Sequence, residues 1–201
     1  MVYTDLHYFG CLSYYKAIAQ GEVVIFDTTA PFSKMSFKNR MVIASAQGPL
    51  HLTIPVVGGR DQKTPMHEIR IAYDSPWRGQ HFKSICNNYK RAPYFEYYVD
   101  SLQLLYQDQH VYLNDFLLAS QNWINKQLKA NWLIEAATTD TELLRINKWI
   151  DPFKPNNFQS ASPTIHYQQV FEDTTGFINN SCIIDLLFAM GGKQATAMLR
   201  L

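Results

Sequence analysis

The hydrophobic period changes twice in the first 27 residues, and this constrains the fold more than any other feature of the chain. Residues 1–8 mix β-formers with polar side chains and read as a strand, broken at Phe9-Gly10. Leu12, Tyr15, Ile18 and Ala19 then recur at helical spacing, with Gly21 as the stop. Val23-Val24-Ile25-Phe26 is an unbroken apolar run ending in Asp27, the pattern of a strand buried on both faces. Strand, helix and buried strand in that order predict a βαβ unit with a parallel pair.

The rest of the chain separates by period. Residues 28–38 read as a loop. Met41-Val42-Ile43-Ala44 and Leu50-Leu52-Ile54-Val56 flank Gln47-Gly48-Pro49 and predict a hairpin, and Gly58-Gly59-Arg60-Asp61 reads as a turn. Residues 68–73 alternate polar and apolar, as a half-buried strand does. Ser75-Pro76 then opens a helix to about Lys90, with Pro76 at its first position. Further helices are expected over residues 94–105, 113–128 and 181–190, a strand over 133–137, and an ordered loop over 151–162. The expected class is α/β, with a strand-rich N-terminal half and a helix-rich C-terminal half. Residues 1–201 are expected to form one domain, with the option of a subdomain division near residue 75.

Composition excludes several classes. A chain of 201 residues buries roughly 70% of its unfolded surface and needs no staples. Twelve Tyr and twelve Phe are too many for a disordered chain. Eighteen basic against seventeen acidic residues leave a net charge of +1, and residues 34–40, the densest basic stretch, hold three cations; nucleic-acid binding is disfavoured. Cys11, Cys86 and Cys182 make neither a C-x-x-C pair nor a zinc spacing, so no metal is expected. With no leader pattern and no apolar run near 18 residues, the expectation is a cytoplasmic protein without membrane insertion. No G-x-S-x-G, G-x-G-x-x-G, P-loop or H-E-x-x-H motif occurs, and no cofactor is expected.

Four segments carry polar residues where structure alone does not require them. At His7-Tyr8-Phe9-Gly10, a helix starting at the end of a parallel strand would aim free N–H groups at phosphate or carboxylate. His7 and Asp27, ending neighbouring strands, could form an acid–base pair; alternatively His7 bonds a carbonyl and Asp27 caps a turn. In residues 34–40, Lys34, Asn39 and Arg40 could grip an anion; the alternative is a solvated loop. On the helix from Trp77, His81, Ser84 and Asn88 share one face as a polar cleft wall, with Arg91 ahead of the corner at Ala92-Pro93-Tyr94-Phe95; the alternative is a helix in a hydrogen-bonded core. Finally, Asp185 lies in an apolar helix downstream of Tyr167-Gln168-Gln169, where an unpartnered carboxylate would cost several kcal/mol. It needs a partner, and a structural role is favoured there.

These segments together resemble the WbqC-like family. The matching pieces are Tyr8-Phe9-Gly10-Cys11-Leu12-Ser13-Tyr14-Tyr15, Phe32-Ser33-Lys34 with Phe37-Lys38-Asn39-Arg40, Gly48 through Leu52-Thr53-Ile54-Pro55-Val56, then Trp77, His81, Ser84-Ile85, Tyr89 and Ala92-Pro93-Tyr94-Phe95. Tyr167-Gln168-Gln169 and Ser181 through Phe188, followed by Gly191, complete the likeness. The family usually carries proline where this chain has Gly10. The resemblance implies encoding near genes for O-antigen and other bacterial surface glycans and a role in modifying sugars. Its recurring positions are Lys34, Asn39, Arg40, His81, Tyr94, Gln168 and Asp185. The expectation is an enzyme acting on a nucleotide-activated sugar as small-molecule substrate, with acyl or aminoacyl transfer to a sugar amine. Lys34 and Arg40 would hold diphosphate, His81 or His7 would move a proton, and Asn88 and Gln168 would position the sugar. The alternative is a non-catalytic binding or scaffold protein of a glycan-assembly complex; assembly as a homo-oligomer stays open. The enzyme expectation requires the segments to share one anion-accepting hollow.

Overall fold

Parallel pairing of the two N-terminal strands sets up the molecule. In the computed structural model, which describes residues 1–33, 35–58, 64–137, 148–162 and 165–201, β1 (Val2–Asp5), α1 (Leu12–Ile18) and β2 (Val23–Asp27) form the expected βαβ unit. β1 and β2 pair in parallel with Asp5 opposite Asp27. Lys34 and residues 59–61 of the expected turn lie outside the described residues.

The sheet grows from strands far along the chain. β5 (Leu133–Ala137) pairs with β2 and the two-residue β6 (Lys148–Trp149) with β1, both in parallel, giving the order β5-β2-β1-β6. The order reverses beside β1, and ligands of open parallel sheets lodge outside the carboxyl ends of the strands at such a point. β3 (Arg40–Ser45) and β4 (Gly48–Thr53) form the expected hairpin as a separate antiparallel pair.

Residues 68–73 are not the expected strand. A 3-10 turn occupies Met66–Glu68, and Arg70 and Ile71 each make an isolated bridge to a different partner, Tyr112 and Val56. Two single bridges to separate segments satisfy these backbone groups without a ladder. Helices α2 (Trp77–Tyr89), α3 (Phe95–Gln107), α4 (Leu113–Leu128), the single turn α5 (Glu172–Thr175), α6 (Ile183–Met190) and α7 (Gly192–Leu199), with a second 3-10 turn at Phe158–Ser160, complete the described elements. Pro76 is the N-cap of α2 rather than its first residue. No helix among the described residues is long and apolar enough to cross a membrane.

The aromatic content is spent in the core, where Tyr8, Tyr14, Tyr15, Trp77, Tyr89, Phe116 and Phe188 are fully buried. α7 reaches this core at Gly192. A Cβ there would stand 1.9 Å from the Gln127 carbonyl oxygen on α4, so α4 and α7 touch backbone to backbone. Gly192→Ala must push the helices apart, and overpacking of this kind costs typically 1–3 kcal/mol. The melting midpoint should fall by roughly 2–4 °C per kcal/mol lost, read by calorimetry; an unchanged midpoint would refute the contact.

Candidate functional site: a charged cluster at the carboxyl edge of the parallel sheet

Two aspartates ending adjacent parallel strands in register bring two negative charges side by side, and the fold answers with lysines. Lys148 Nζ lies 2.6 Å from Asp5 Oδ1 and 2.7 Å from Asp27 Oδ2. Lys38 Nζ lies 3.4 Å from Asp5 Oδ1 and donates to the Pro31 carbonyl at 3.1 Å. Asp27 Oδ1 accepts from the amides of Thr29 and Ala30 and from the Thr29 hydroxyl. Burial works against both carboxylates but is outweighed by Lys38 and Lys148 at Asp5 and by Lys148 and Thr29 at Asp27. Both stay below the usual carboxylate range.

His7 and Asp151 face one another beside this cluster. His7 stacks on Tyr14 with centroids 4.1 Å apart, a spacing that Gly10 allows because a Cβ there would meet Tyr14 Cδ1 at 2.7 Å. The turn places the preceding residue, Phe9, at φ 42°, a left-handed conformation costly for an aromatic side chain. The His7 carbonyl accepts from Gln121 Nε2 at 2.8 Å, fixing its backbone. Its Nδ1 is buried without a hydrogen-bond partner and points to Asp151 Oδ2 at 3.8 Å. That same oxygen accepts from the Cys11 thiol at 3.7 Å, while Asp151 Oδ1 accepts from the Phe153 amide.

Burial drives the ionisation of all three groups. It pushes the Asp151 carboxyl up to about 6, with the Phe153 amide and Cys11 thiol opposing. It pushes His7 down to about 3, outweighing the attraction of Asp5. Burial and Asp151 push the Cys11 thiol up to about 12, so Cys11 is a thiol and not an activated nucleophile. The cluster therefore holds an imidazole kept neutral next to a carboxyl raised to about 6, a perturbation of the kind found at functional sites.

The anion-binding turn expected at the start of α1 is not available. Leu12 N donates to the Ser181 carbonyl at 3.0 Å and Ser13 N to Asn180 Oδ1 at 2.7 Å, so the 180–181 segment takes the donors that an unpacked helix start would offer.

The remaining sequence candidates distribute as follows. His81 belongs to the buried α2 row Trp77, His81, Ile85, Tyr89 and not to a polar wall with Ser84 and Asn88. Its Nδ1 contacts the Tyr8 hydroxyl at 3.0 Å, and Tyr8 in turn bonds Tyr106. Asn88 Nδ2 donates to the Ser84 carbonyl in its own helix. Asn39 Nδ2 donates to the Ile54 carbonyl and Arg40 Nε to Thr53 Oγ1, so both brace the hairpin. Tyr94 borders a cleft of about 740 Å³ with Tyr97, Tyr98 and the start of α7. A third group, Arg91 and Gln168, shares a cleft of about 290 Å³ with Asp185. A further cleft of about 570 Å³ lies between Trp77, Phe82 and Tyr106. His7, Asp27 and Asp151 line none of these three; their cluster is most open at Asp5, whose side chain is 20% exposed. Among the described residues no group of three His, Cys, Asp or Glu side chains could hold a metal.

Burial pushes the His81 imidazole down to about 4. Below about 6.5 the unfolded chain takes up a proton that the fold refuses, so His81 lowers stability as pH falls from about 6.5 to about 4. The slope is about 1.4 kcal/mol per pH unit. His81→Gln should remove this increment, and urea unfolding of both proteins at pH 7, 5.5 and 4.5 measures it. A stability difference that does not change with pH would show that His81 protonates freely in the fold.

The fold and site define an α/β domain with a buried charged cluster at the carboxyl edge of a parallel sheet. The model of the WbqC-like protein family matches residues 7–151, well over half of the chain, and the protein belongs to that family. The matched region runs from His7 to Asp151, whereas Tyr167–Gln169 and Ser181–Phe188 lie beyond it. Comparison with curated proteins and with solved structures gives no match.

Sequence reasoning passed over Asp5, Lys148 and Asp151. Asp5 carries a readable signal, since it ends the first strand as Asp27 ends the second. Lys148 and Asp151 carry none, because β6 is too short to show a period.

Proposed function

We propose that this WbqC-like domain is an enzyme of bacterial surface-glycan biosynthesis, transferring an acyl or aminoacyl group to the amine of a nucleotide-activated sugar. The observation that carries the reading is the buried Asp151 carboxyl, its pKa raised to about 6, beside the Nδ1 of a neutral His7 that has no hydrogen-bond partner. The sugar amine nitrogen forms the new bond to the acyl carbon, the bond from that carbon to its leaving group breaks, and Asp151 takes the amine proton. His7 shapes and polarises the proton's path. Asp27, engaged by four donors and kept ionised, is a positioning residue in this scheme; so are Lys38 and Lys148. Asn39, Arg40 and Asn88 each spend a side-chain donor on the chain's own structure, whereas Tyr94 borders its own cleft away from this cluster; none of the four leads as a substrate contact in this scheme. Membership of the family supports the glycan part of this proposal, and the Asp151–His7 arrangement supports the proton-transfer part.

Incubating the protein with UDP-linked amino sugars and acyl-thioester or aminoacyl-ester donors tests the reading, with mass spectrometry following N-acylated sugar. Product formation by the protein supports it. If no pairing yields product and no nucleotide sugar shifts thermal stability, the enzyme reading fails.

A scaffold role is the second reading. Tyr97 and Leu104 on α3 are 78% and 63% exposed, an apolar presentation that suits a protein partner. Stable co-purification of a glycan-assembly protein, abolished by Tyr97→Asp, would favour it.

A further inference from the structure

The buried carboxylate of Asp185 has a different setting from that of Asp151. It is 2% exposed, and its Oδ2 accepts from the Tyr167 hydroxyl at 2.6 Å, Gln169 Nε2 at 2.8 Å and the Ser181 hydroxyl at 2.9 Å. Every one of these donors is neutral. Among the described residues no Lys, Arg or His forms an ion pair with Asp185, although an uncompensated buried carboxylate is costly. A partner could not simply be missing by neglect of packing, because Asp185 borders a formed cleft of about 290 Å³.

That cleft has a second charged feature of opposite sign. Arg91 lines it and makes no ion pair among the described residues, so its guanidinium is available to fork a carboxylate. Val170, Ala189 and Met190 supply apolar wall, Gln168 a further polar group, and Asp173 a second carboxylate that adds to the pull on a ligand's cation. The volume lies at the small end of ligand sites, which run from roughly 300 to 1,000 Å³. A ligand that fits must be small, must offer a cation to Asp185 and an anion to Arg91, and must tolerate a short apolar surface.

We propose that the Arg91–Asp185 cleft binds a small apolar α-amino acid as its zwitterion, the ammonium on Asp185, the carboxylate on Arg91 and the side chain along Val170 and Met190. This does not rest on the acid–base reading of Asp151. Asn180 and Ser181 stand between the two sites: Asn180 Oδ1 caps Ser13 on one side, and Ser181 Oγ serves Asp185 on the other. Either site can fail without the other.

Calorimetric titration of the full chain tests the proposal, with glycine, L-alanine and L-valine as probes and L-alaninamide and propionate as controls lacking one charge each. Saturable binding of L-alanine at least tenfold tighter than of either control is expected. Arg91→Ala should weaken L-alanine at least tenfold while leaving L-alaninamide unchanged. Asp185→Asn, nearly the same shape, should abolish L-alanine and spare propionate. Should that variant fail to fold, the Arg91 variant and the two controls decide alone. Equal binding of L-alanine and L-alaninamide, indifference to Arg91→Ala, or no saturable response to any of the three amino acids would overturn the assignment.

Discussion

Asp151→Asn is expected to lower turnover by about 10²–10⁴-fold, the range that one positioned acid–base group supplies, while leaving the domain at least as stable as the wild type at pH 7.5. The second half of this expectation follows from the same burial that makes the residue useful. The folded Asp151 titrates near about 6 instead of 3.8, so its ionised form is disfavoured by the fold. The penalty is absent below the unfolded value, grows as pH rises, and is complete above about 6, where it reaches roughly 3 kcal/mol. Asparagine carries no charge and keeps an oxygen for the Phe153 amide, so it removes most of that penalty. Wild-type turnover should rise with pH through about 6, as the carboxylate forms, and then level. Rate and melting midpoint measured together between pH 5 and 8 separate the roles. Lost activity with a raised midpoint marks a group kept for chemistry against its own stability, whereas lost activity with a lowered midpoint would mark a structural carboxyl.

How far the sequence could reveal this arrangement depends on where each signal resides. The βαβ unit was legible because a period of about 3.6 between two short extended runs admits few alternatives, and α4 and β5 coincide with the expected ranges for the same reason. The end of the second strand was legible, which is why Asp27 was found; the first strand stops at Asp5 and not near residue 8, so His7 was found two residues beyond the strand while Asp5 was missed. Their partners were not, since Lys148 lies 121 residues from Asp27 and sits on a strand of two residues. His81 shows a different limit. Its spacing to Ser84 and Asn88 and its spacing to Trp77, Ile85 and Tyr89 are equally helical, and only the Tyr8 hydroxyl, 73 residues away, decides which face is buried. The anion-suited turn failed because the segment around Asn180 reaches the helix start, a contact that no local pattern encodes. For Asp185 the need for partners was legible from burial alone; that they are hydroxyls and an amide, with no cation, required the packing of residues 167–185.

Lys148→Met is expected to lower stability by about 3–5 kcal/mol at neutral pH, the cost of leaving buried charge without its partner. Lys148 is 12% exposed and bridges Asp5 and Asp27, register partners that are 20% and 8% exposed. Burial works to lower the Lys148 pKa but Asp5 and Asp27 outweigh it, so the net shift is upward. A raised lysine contributes below its unfolded value near 10.5 and loses that contribution as pH rises through the folded one. The two lowered aspartates contribute above about 3.8 and lose it as pH falls. The pairing of Lys148 with the two aspartates is therefore fully effective from about pH 5 up to the ordinary lysine range, whereas Lys38, whose pKa burial lowers, loses its charge sooner. Without Lys148, Lys38 alone faces two carboxylates, their pKa values rise, and acidification from pH 7.5 to 5 should recover part of the lost stability instead of reducing it. Urea unfolding at the two pH values reads this directly. Lys148→Met with Asp27→Asn should regain more than Asp27→Asn changes alone, because the two sites share one interaction. Recovery by the second substitution identifies the loss as uncompensated charge; equal loss in the single and double variants would assign it to the packing of the lysine stem on Tyr3, whose ring lies 5.8 Å from Nζ.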